Sequence, residues 1–399
     1  MGANVDAEGE LQRDTQRGDS PAVADGAAFQ AWRLKALASD EFRALGTAAD
    51  QPSVDQLKYL ARLAVLAPTS HNTVPQRFQA IESGWRMWID RAFVLPDSDP
   101  TGRQATVSLG CSLENLVLGA RAMGWDAVVT VLTTSPENLR PLRAGEARYV
   151  PVMDAVVRPG GTETDPGWLA AMLKRASVRA EYDSQVKLPT HLIAALESTV
   201  SEYDGLRLHL LQDSASLLFL GKFQEAADTT VCNREAFARE LGNWLLPNDS
   251  SASVGMRGRE FGLSDDVARR MHLGLRRELP LQPDEVAGFA RSSNIGMRSA
   301  SAVAILTTTD DSVNQRLAAG RAFEKMALVL LRHDFHTAMH AGITEVEVPN
   351  LALRGRLRTT ARPTVVFRIG RPLRPEDALR PHSSRPQLED LLIPEKLVR

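Results

Sequence analysis

Gly110-Cys-Ser-Leu-Glu-Asn-Leu-Val-Leu118 can be laid on Gly320-Arg-Ala-Phe-Glu-Lys-Met-Ala-Leu328 without a gap. Glycine meets glycine, Glu114 meets Glu324, and the apolar positions coincide. Trp125 then falls on Phe335 and Gly124 on Asp334, and an acidic loop precedes each run (Asp99-Pro100; Asp310-Asp311). Leu109, Leu113, Leu116, Val117 and Ala120 recur at helical spacing, which predicts a long helix from Ser108 to Met123. A repeat separated by about half the chain is the signature of a duplication, in which each half buries a long central helix against its own sheet.

Outward from that helix the first half reads plainly. Leu57, Leu60, Ala61 and Ala64 follow helical spacing from Val54, with Lys58 and Arg62 opposite, and Pro68 stops the helix. Phe78–Ile81 and Arg86–Ile89 read as strands joined by a turn at Ser83-Gly84, and Ala127–Leu132 and Val152–Val157 as two more. Pro159-Gly160-Gly161 is a linker, and Val365–Gly370 closes the second half with a strand. The expected organisation is an N-terminal extension over 1–50, a first half over 51–165 and a second half over 166–399. Residues 1–26 are acidic with almost nothing to bury and read as a disordered tail, and 28–45 as a short docking helix. Residues 233–292 are polar and read as an insertion, a candidate lid.

The bulk numbers set limits on function. With 399 residues, 43% apolar and 24% charged, the chain has the makings of a two-domain globular protein. A formal charge of −2 gives no field for gripping nucleic acid. No apolar run reaches the ~18 residues of a spanning helix, and the N-terminus lacks signal-peptide character. Two cysteines, Cys111 and Cys232, allow no disulfide framework, which suits a reducing cytoplasm.

Two segments more than a hundred residues apart carry the chemistry. Ala67-Pro-Thr-Ser-His-Asn-Thr73 ends one helical stretch, and Arg175-Ala-Ser-Val-Arg179 ends another. Guanidinium groups bind phosphate in a planar, two-point fashion that lysine cannot reproduce. Arg175 and Arg179, four apart, would share a face of a helix, with the Ser177 hydroxyl beside them.

Together with Asp99-Pro-Thr-Gly-Arg103, Val107–Leu116 and Val366-Phe-Arg-Ile-Gly370, these segments resemble the nitroreductase superfamily of FMN-dependent oxidoreductases. Within it they are most similar to the duplicated, single-chain Acg-type proteins, over roughly residues 54–395. The resemblance implies an α+β, nitroreductase-like fold whose two homologous halves form an intramolecular pseudo-dimer. Ordinary members are homodimers in which one subunit gives an Arg-x-Ser-x-Arg/Lys segment and the other a Pro-Ser-Ser-x-Asn loop to each flavin. By that likeness Arg175, Ser177 and Arg179 would hold the FMN phosphate, and Pro68, Thr69, Ser70 and Asn72 the edge of the ring. Arg356, Arg358 and Arg362 compete for a further phosphate contact, and Gly342 falls where a backbone amide approaches flavin N5. The place of a second loop, Thr199–Asp204, has lost the pattern, so one site per chain is implied. After Asn72 the family continues with Gln, Pro and Trp, whereas this chain has Val74, Pro75 and Gln76.

The implied activity is NAD(P)H-linked two-electron reduction, or a specialised dehydrogenation, of a small organic substrate, with NADH or NADPH as donor. The rival reading is a flavin-binding or storage protein whose lid shuts out nicotinamide. The expected assembly is a monomer acting as a pseudo-dimer, or a higher homo-oligomer. Other chemistries read less well. His71 follows Ser70 without an acidic third partner, and His333, His336 and His340 lack the glutamate of a zinc-protease helix. Cys111 lies in an apolar stripe, and Glu114 and Glu324 read as pairing groups between the halves.

Overall fold

A computed structural model describes residues 27–38, 51–160, 165–379 and 383–393; the expected acidic tail over 1–26 lies outside them. Helix α1 (Ala27–Ala38) lays Trp32 edge-on against Tyr59, with ring centres 5.9 Å apart. The first half then runs α2 (Val54–Val65), β1 (Gln76–Ile81), β2 (Gly84–Asp90), α3 (Arg103–Ala122), β3 (Trp125–Val131) and β4 (Tyr149–Pro159). Ser53 starts α2 with a capping box, its hydroxyl accepting from the Gln56 N–H while the Gln56 side chain accepts from the Ser53 N–H. The four strands form an antiparallel sheet in the order β1-β2-β4-β3. Trp85, Met87 and Ile89 alternate inward along β2, while Arg86 faces outward and pairs with Asp154 directly across on β4. The β1–β2 turn is Glu82-Ser83, one residue earlier than expected, with Ser83 left-handed at φ 56°.

After α4 (Gly167–Lys174), the second half runs α5 (Thr190–Ser201) and β5 (Leu206–Leu211). A block follows, comprising α6 (Ser214–Asn233), α7 (Glu235–Trp244), β6 (Leu245–Leu246), β7 (Met256–Arg257), α8 (Asp265–Leu275) and α9 (Pro283–Arg298). The half resumes with β8 (Ala302–Thr308), α10 (Val313–Leu331) and β9 (His336–Met339). The short α11 (Gly342–Glu345) and α12 (Glu347–Leu357) then lead to β10 (Arg362–Gly370). Its sheet order, β5-β8-β10-β9, repeats the first when the strands of each half are taken in sequence. Each half therefore reads helix, strand, strand, long helix, strand, strand.

The block between β5 and β8 is wider than 233–292 and largely helical. Its α7, α8 and α9 bury narrow stripes such as Phe237, Ala238 and Leu241 or Met271 and Leu275 among many charges. That charge dilutes the apolar period, so composition alone reads as polar loop. The block also explains why β8 is buried throughout. Ala302, Ala304 and Leu306 face the core of the second half, and Val303 and Ile305 face a core shared with Leu217 and Leu220 of α6 and Met297 of α9.

The long helices α3 and α10 pack on each other at reciprocal points. A Cβ on Gly110 would lie 2.2 Å from the Leu317 carbonyl oxygen, and one on Gly320 would lie 2.0 Å from that of Val107. Each glycine thus meets the residue three before its counterpart, as a twofold relation requires. Both helices end alike, with Gly124 and Asp334 left-handed at φ 80° and 60°, followed by the buried Trp125 and Phe335. Arg103 of the first half and Arg316 of the second converge on Asp311 and tie the halves together.

The halves also exchange ends. The chain leaving the first sheet runs extended along β9, where the Val178 N–H donates to the Thr337 carbonyl at 3.0 Å. The chain leaving the second sheet returns to β1, where the Ile393 N–H donates to the Phe78 carbonyl at 2.9 Å. Among the described residues no helix is long and apolar enough to cross a membrane.

Candidate functional site

The loop after α2 is held in a costly conformation. His71, Asn72 and Val74 all have left-handed backbones, at φ 47°, 56° and 53°, and for a β-branched valine this is a clear outlier. Hydrogen bonds over-determine it. The Thr69 hydroxyl accepts from the Val74 N–H, the Ser70 N–H donates to the Ser108 hydroxyl, and the Asn72 carbonyl accepts from the Gly255 N–H. The Asn72 side-chain amide donates to the Gly255 and Ser384 carbonyls, and its oxygen accepts from Arg385. Asn72 therefore ties the first half to the helical block and to the returning C-terminal strap.

The second segment differs from expectation in conformation. Helix α4 ends at Lys174, and Arg175 turns out of it with ψ 127°. From there the chain is extended along β9, so Arg175, Ser177 and Arg179 share one side by strand alternation, not by a helical turn. The open edge of β9 gives this run its hydrogen-bond partners.

The two segments meet. Pro68, Thr69 and Asn72 line one cleft with Arg175, Ser177 and Arg179, and Met256, Ser383 and Arg385 complete its wall. The space is about 350 Å³ with its open mouth, and an adjoining recess of about 310 Å³ shares Ser177 and Ser383 and adds Glu260.

Its electrostatics favour an anion. Arg175, Arg179 and Arg385 are brought together against two carboxylates, Glu324 and Glu260. Glu324 lies 3.1 Å from the Arg175 Nε, and burial pushes its carboxyl up to about 7 despite that neighbour. Burial, then the nearby Arg175, brings the Arg385 guanidinium down to about 9. Burial also lowers Arg179, which Glu260 partly restores. Histidines beside Arg179 are held neutral: burial first and Arg179 next bring His71 down to about 4, and burial, Arg368 and Arg179 depress His340 strongly. The His71 Nδ1, His340 Nε2 and Ser253 Oγ are buried without a hydrogen-bond partner, as is the whole amide of Gln76 just beyond the loop. Three guanidinium groups line the cleft against two nearby carboxylates, a balance that a phosphate monoester would complete, so the residues present fit FMN.

Other expected contacts lie elsewhere. Ser70 does not line the cleft, its backbone being turned to Ser108. Gly342 opens α11 against α6, where a Cβ would stand 2.9 Å from the Gln224 Nε2. Arg356 donates to the Ser216 hydroxyl, Arg358 is exposed at the left-handed end of α12, and Arg362 stands near Arg103 and Asp311. The packing of α12 before β10 carries these three arginines away, and the basic group reaching the cleft from the end of the chain is Arg385. Nothing in Ser384-Arg385-Pro386 marks it in sequence, since its partners lie more than three hundred residues earlier.

The counterpart of Glu324 across the helix pair has a different neighbourhood. Glu114 pairs with Arg321 at 2.7 Å, and the Arg321 guanidinium lies over Tyr203 at 5.3 Å. Tyr203 belongs to the stretch where a second loop would fall, and burial and the nearby Glu114 push its phenol up.

No family model matches the chain. Over 358 residues it is 24% identical to a Mycobacterium tuberculosis H37Rv protein named "Putative NAD(P)H nitroreductase Rv3131", covering 87% of this chain and 94% of the relative. Over 323 residues it is 25% identical to "Uncharacterized protein Rv3127" of the same strain, covering 79% and 86%. The solved FMN-dependent nitroreductase NfnB of Mycobacterium smegmatis, in complex with NADPH, overlaps 57% of this chain and 97% of its own length at 14% identity and a TM-score of 0.36, too loose a fit to bear on the site. The chain is thus similar, distantly and along most of its length, to nitroreductase-type proteins.

Proposed function

We propose that the chain is a nitroreductase-type NAD(P)H oxidoreductase that holds one FMN in the cleft between its halves. The observation that carries this is the convergence of Pro68, Thr69 and Asn72 with Arg175, Ser177 and Arg179 on one cleft, with Arg385 beside them. Arg175 and Arg179 would hold the phosphate with Ser177, and Arg385 would fix the loop that borders the ring. The repeated strand order and the reciprocal glycine contact support reading the chain as an intramolecular pseudo-dimer. When bound, FMN would supply two-electron chemistry at N5; the protein's part is to bind it, orient it and control access.

A second reading is favoured by three specific contacts. Gly255, Met256 and Glu260 of the helical block press on Asn72 and Arg179, as expected of a lid that holds flavin and shuts out nicotinamide. The two separate by adding NADH or NADPH anaerobically to the flavin-loaded protein. Bleaching of the flavin band is expected of the oxidoreductase. Flavin that dithionite reduces and neither nicotinamide reduces would overturn turnover and leave the holding role. A folded protein that takes up no FMN would overturn both.

A further inference from the structure

The guanidinium of Arg179 is already claimed by the helical block. Its Nη1 stands 3.9 Å from the Glu260 Oε2, its Nη2 lies 3.7 Å from the Met256 sulfur, and its Cζ lies 4.4 Å from the centre of the Phe261 ring. The Glu260 side chain is 8% exposed and lines the recess with Ala176, Ser177 and Val178. Its Oε2 accepts from the Ser383 hydroxyl at 2.7 Å, and its Oε1 accepts from the Arg257 N–H in the capping turn that starts the block's 258–261 segment. A carboxylate from the block therefore sits among the donors that face the cleft. The pair is loose: at 3.9 Å, Arg179 and Glu260 make an ion pair without a hydrogen bond.

We propose that Glu260 is a built-in anion standing in the place of the cofactor phosphate, so that phosphate binding and seating of residues 255–261 on the cleft exclude one another. The proposal rests on reading the cleft as a phosphate site. A dianionic phosphate monoester can engage Arg179 in the two-point geometry that Glu260 does not reach, with more charge. In a buried setting the two anions repel, and the displaced group is Glu260, which holds Arg179 without a hydrogen bond. Gly255 holds Asn72 by two hydrogen bonds five residues before Glu260, so displacing Glu260 also loosens the block from the loop. The phosphate then does two jobs: it anchors the ligand, and it unseats the segment that covers Arg179. A ligand lacking the phosphate can do neither.

The test compares FMN with riboflavin, which lacks the phosphate, by fluorescence titration of the full chain. Glu260→Gln is expected to bind FMN about tenfold more tightly than the wild type while riboflavin gains nothing, since removing a buried competing charge favours only the charged ligand. Glu260→Ala is expected to act in the same direction, and Arg179→Ala/Glu260→Gln to gain less over Arg179→Ala than Glu260→Gln gains over the wild type. If FMN binds Glu260→Gln no more tightly than wild type while Arg179→Ala still weakens it, competition is overturned and the phosphate site stands. Equal gains for riboflavin and FMN would also overturn it, reducing Glu260 to a latch. If neither wild type nor Glu260→Gln binds FMN, the phosphate site and the proposal fall together.

Discussion

Arg385 shows at the residue scale how the cleft is built from distant parts of the chain. Its Nε donates to the Val65 carbonyl, its Nη2 to the Ala67 carbonyl, and its Nη1 to the Ser384 carbonyl and the Asn72 side chain. Replacing it with alanine leaves several buried acceptors unpaired, at ~1–3 kcal/mol each before relaxation. Arg385→Lys keeps the charge but lacks the planar fork, so it is expected to lose about 2–3 kcal/mol of stability and at least tenfold in FMN affinity. Urea unfolding and flavin titration check this, and wild-type values for the lysine variant would show that charge alone suffices. Asn72 and Gly342 illustrate what sequence conveyed. The loop motif suggests a ring contact for Asn72; in the structure it lines the cleft, and its amide is engaged by Gly255, Ser384 and Arg385. Gly342, expected beside flavin N5, stands against Gln224 of the helical block, whose packing no local spacing reveals.

At the scale of elements, the crossing of α3 and α10 depends on two hydrogen atoms in place of side chains. A Cβ at Gly320 would come within 2.0 Å of the Val107 carbonyl oxygen, a backbone atom that cannot step aside without separating the helices. Gly320→Val is therefore expected to cost more than the ~1–3 kcal/mol of ordinary overpacking, and Gly110→Val to match it because the contact is reciprocal. Chemical unfolding of the two variants measures this; a large cost at one position and none at the other would contradict the twofold relation. The glycine register is legible because Gly110–Leu118 and Gly320–Leu328 align without a gap. The conformation of Arg175–Arg179 is not. Four-residue spacing suits a helix face and strand alternation alike, and the open edge of β9, a feature of another part of the chain, decides for the strand.

Across the whole molecule, the proposed twofold between the halves would be broken at the sites. On one side of the helix pair Glu324 pairs with Arg175, which lines the cleft; on the other, Glu114 is taken up by Arg321 beside Tyr203. A homodimer must build two equal sites, whereas a chain holding both halves can keep one and fill the other with side chains. That asymmetry is the central claim, and the stoichiometry of FMN tests it most directly. Titration of the purified full chain, followed by flavin fluorescence at known protein concentration, is expected to saturate at one FMN per chain, with Arg175→Ala/Arg179→Ala retaining none. Saturation at two per chain, or full retention by the double variant, would contradict it.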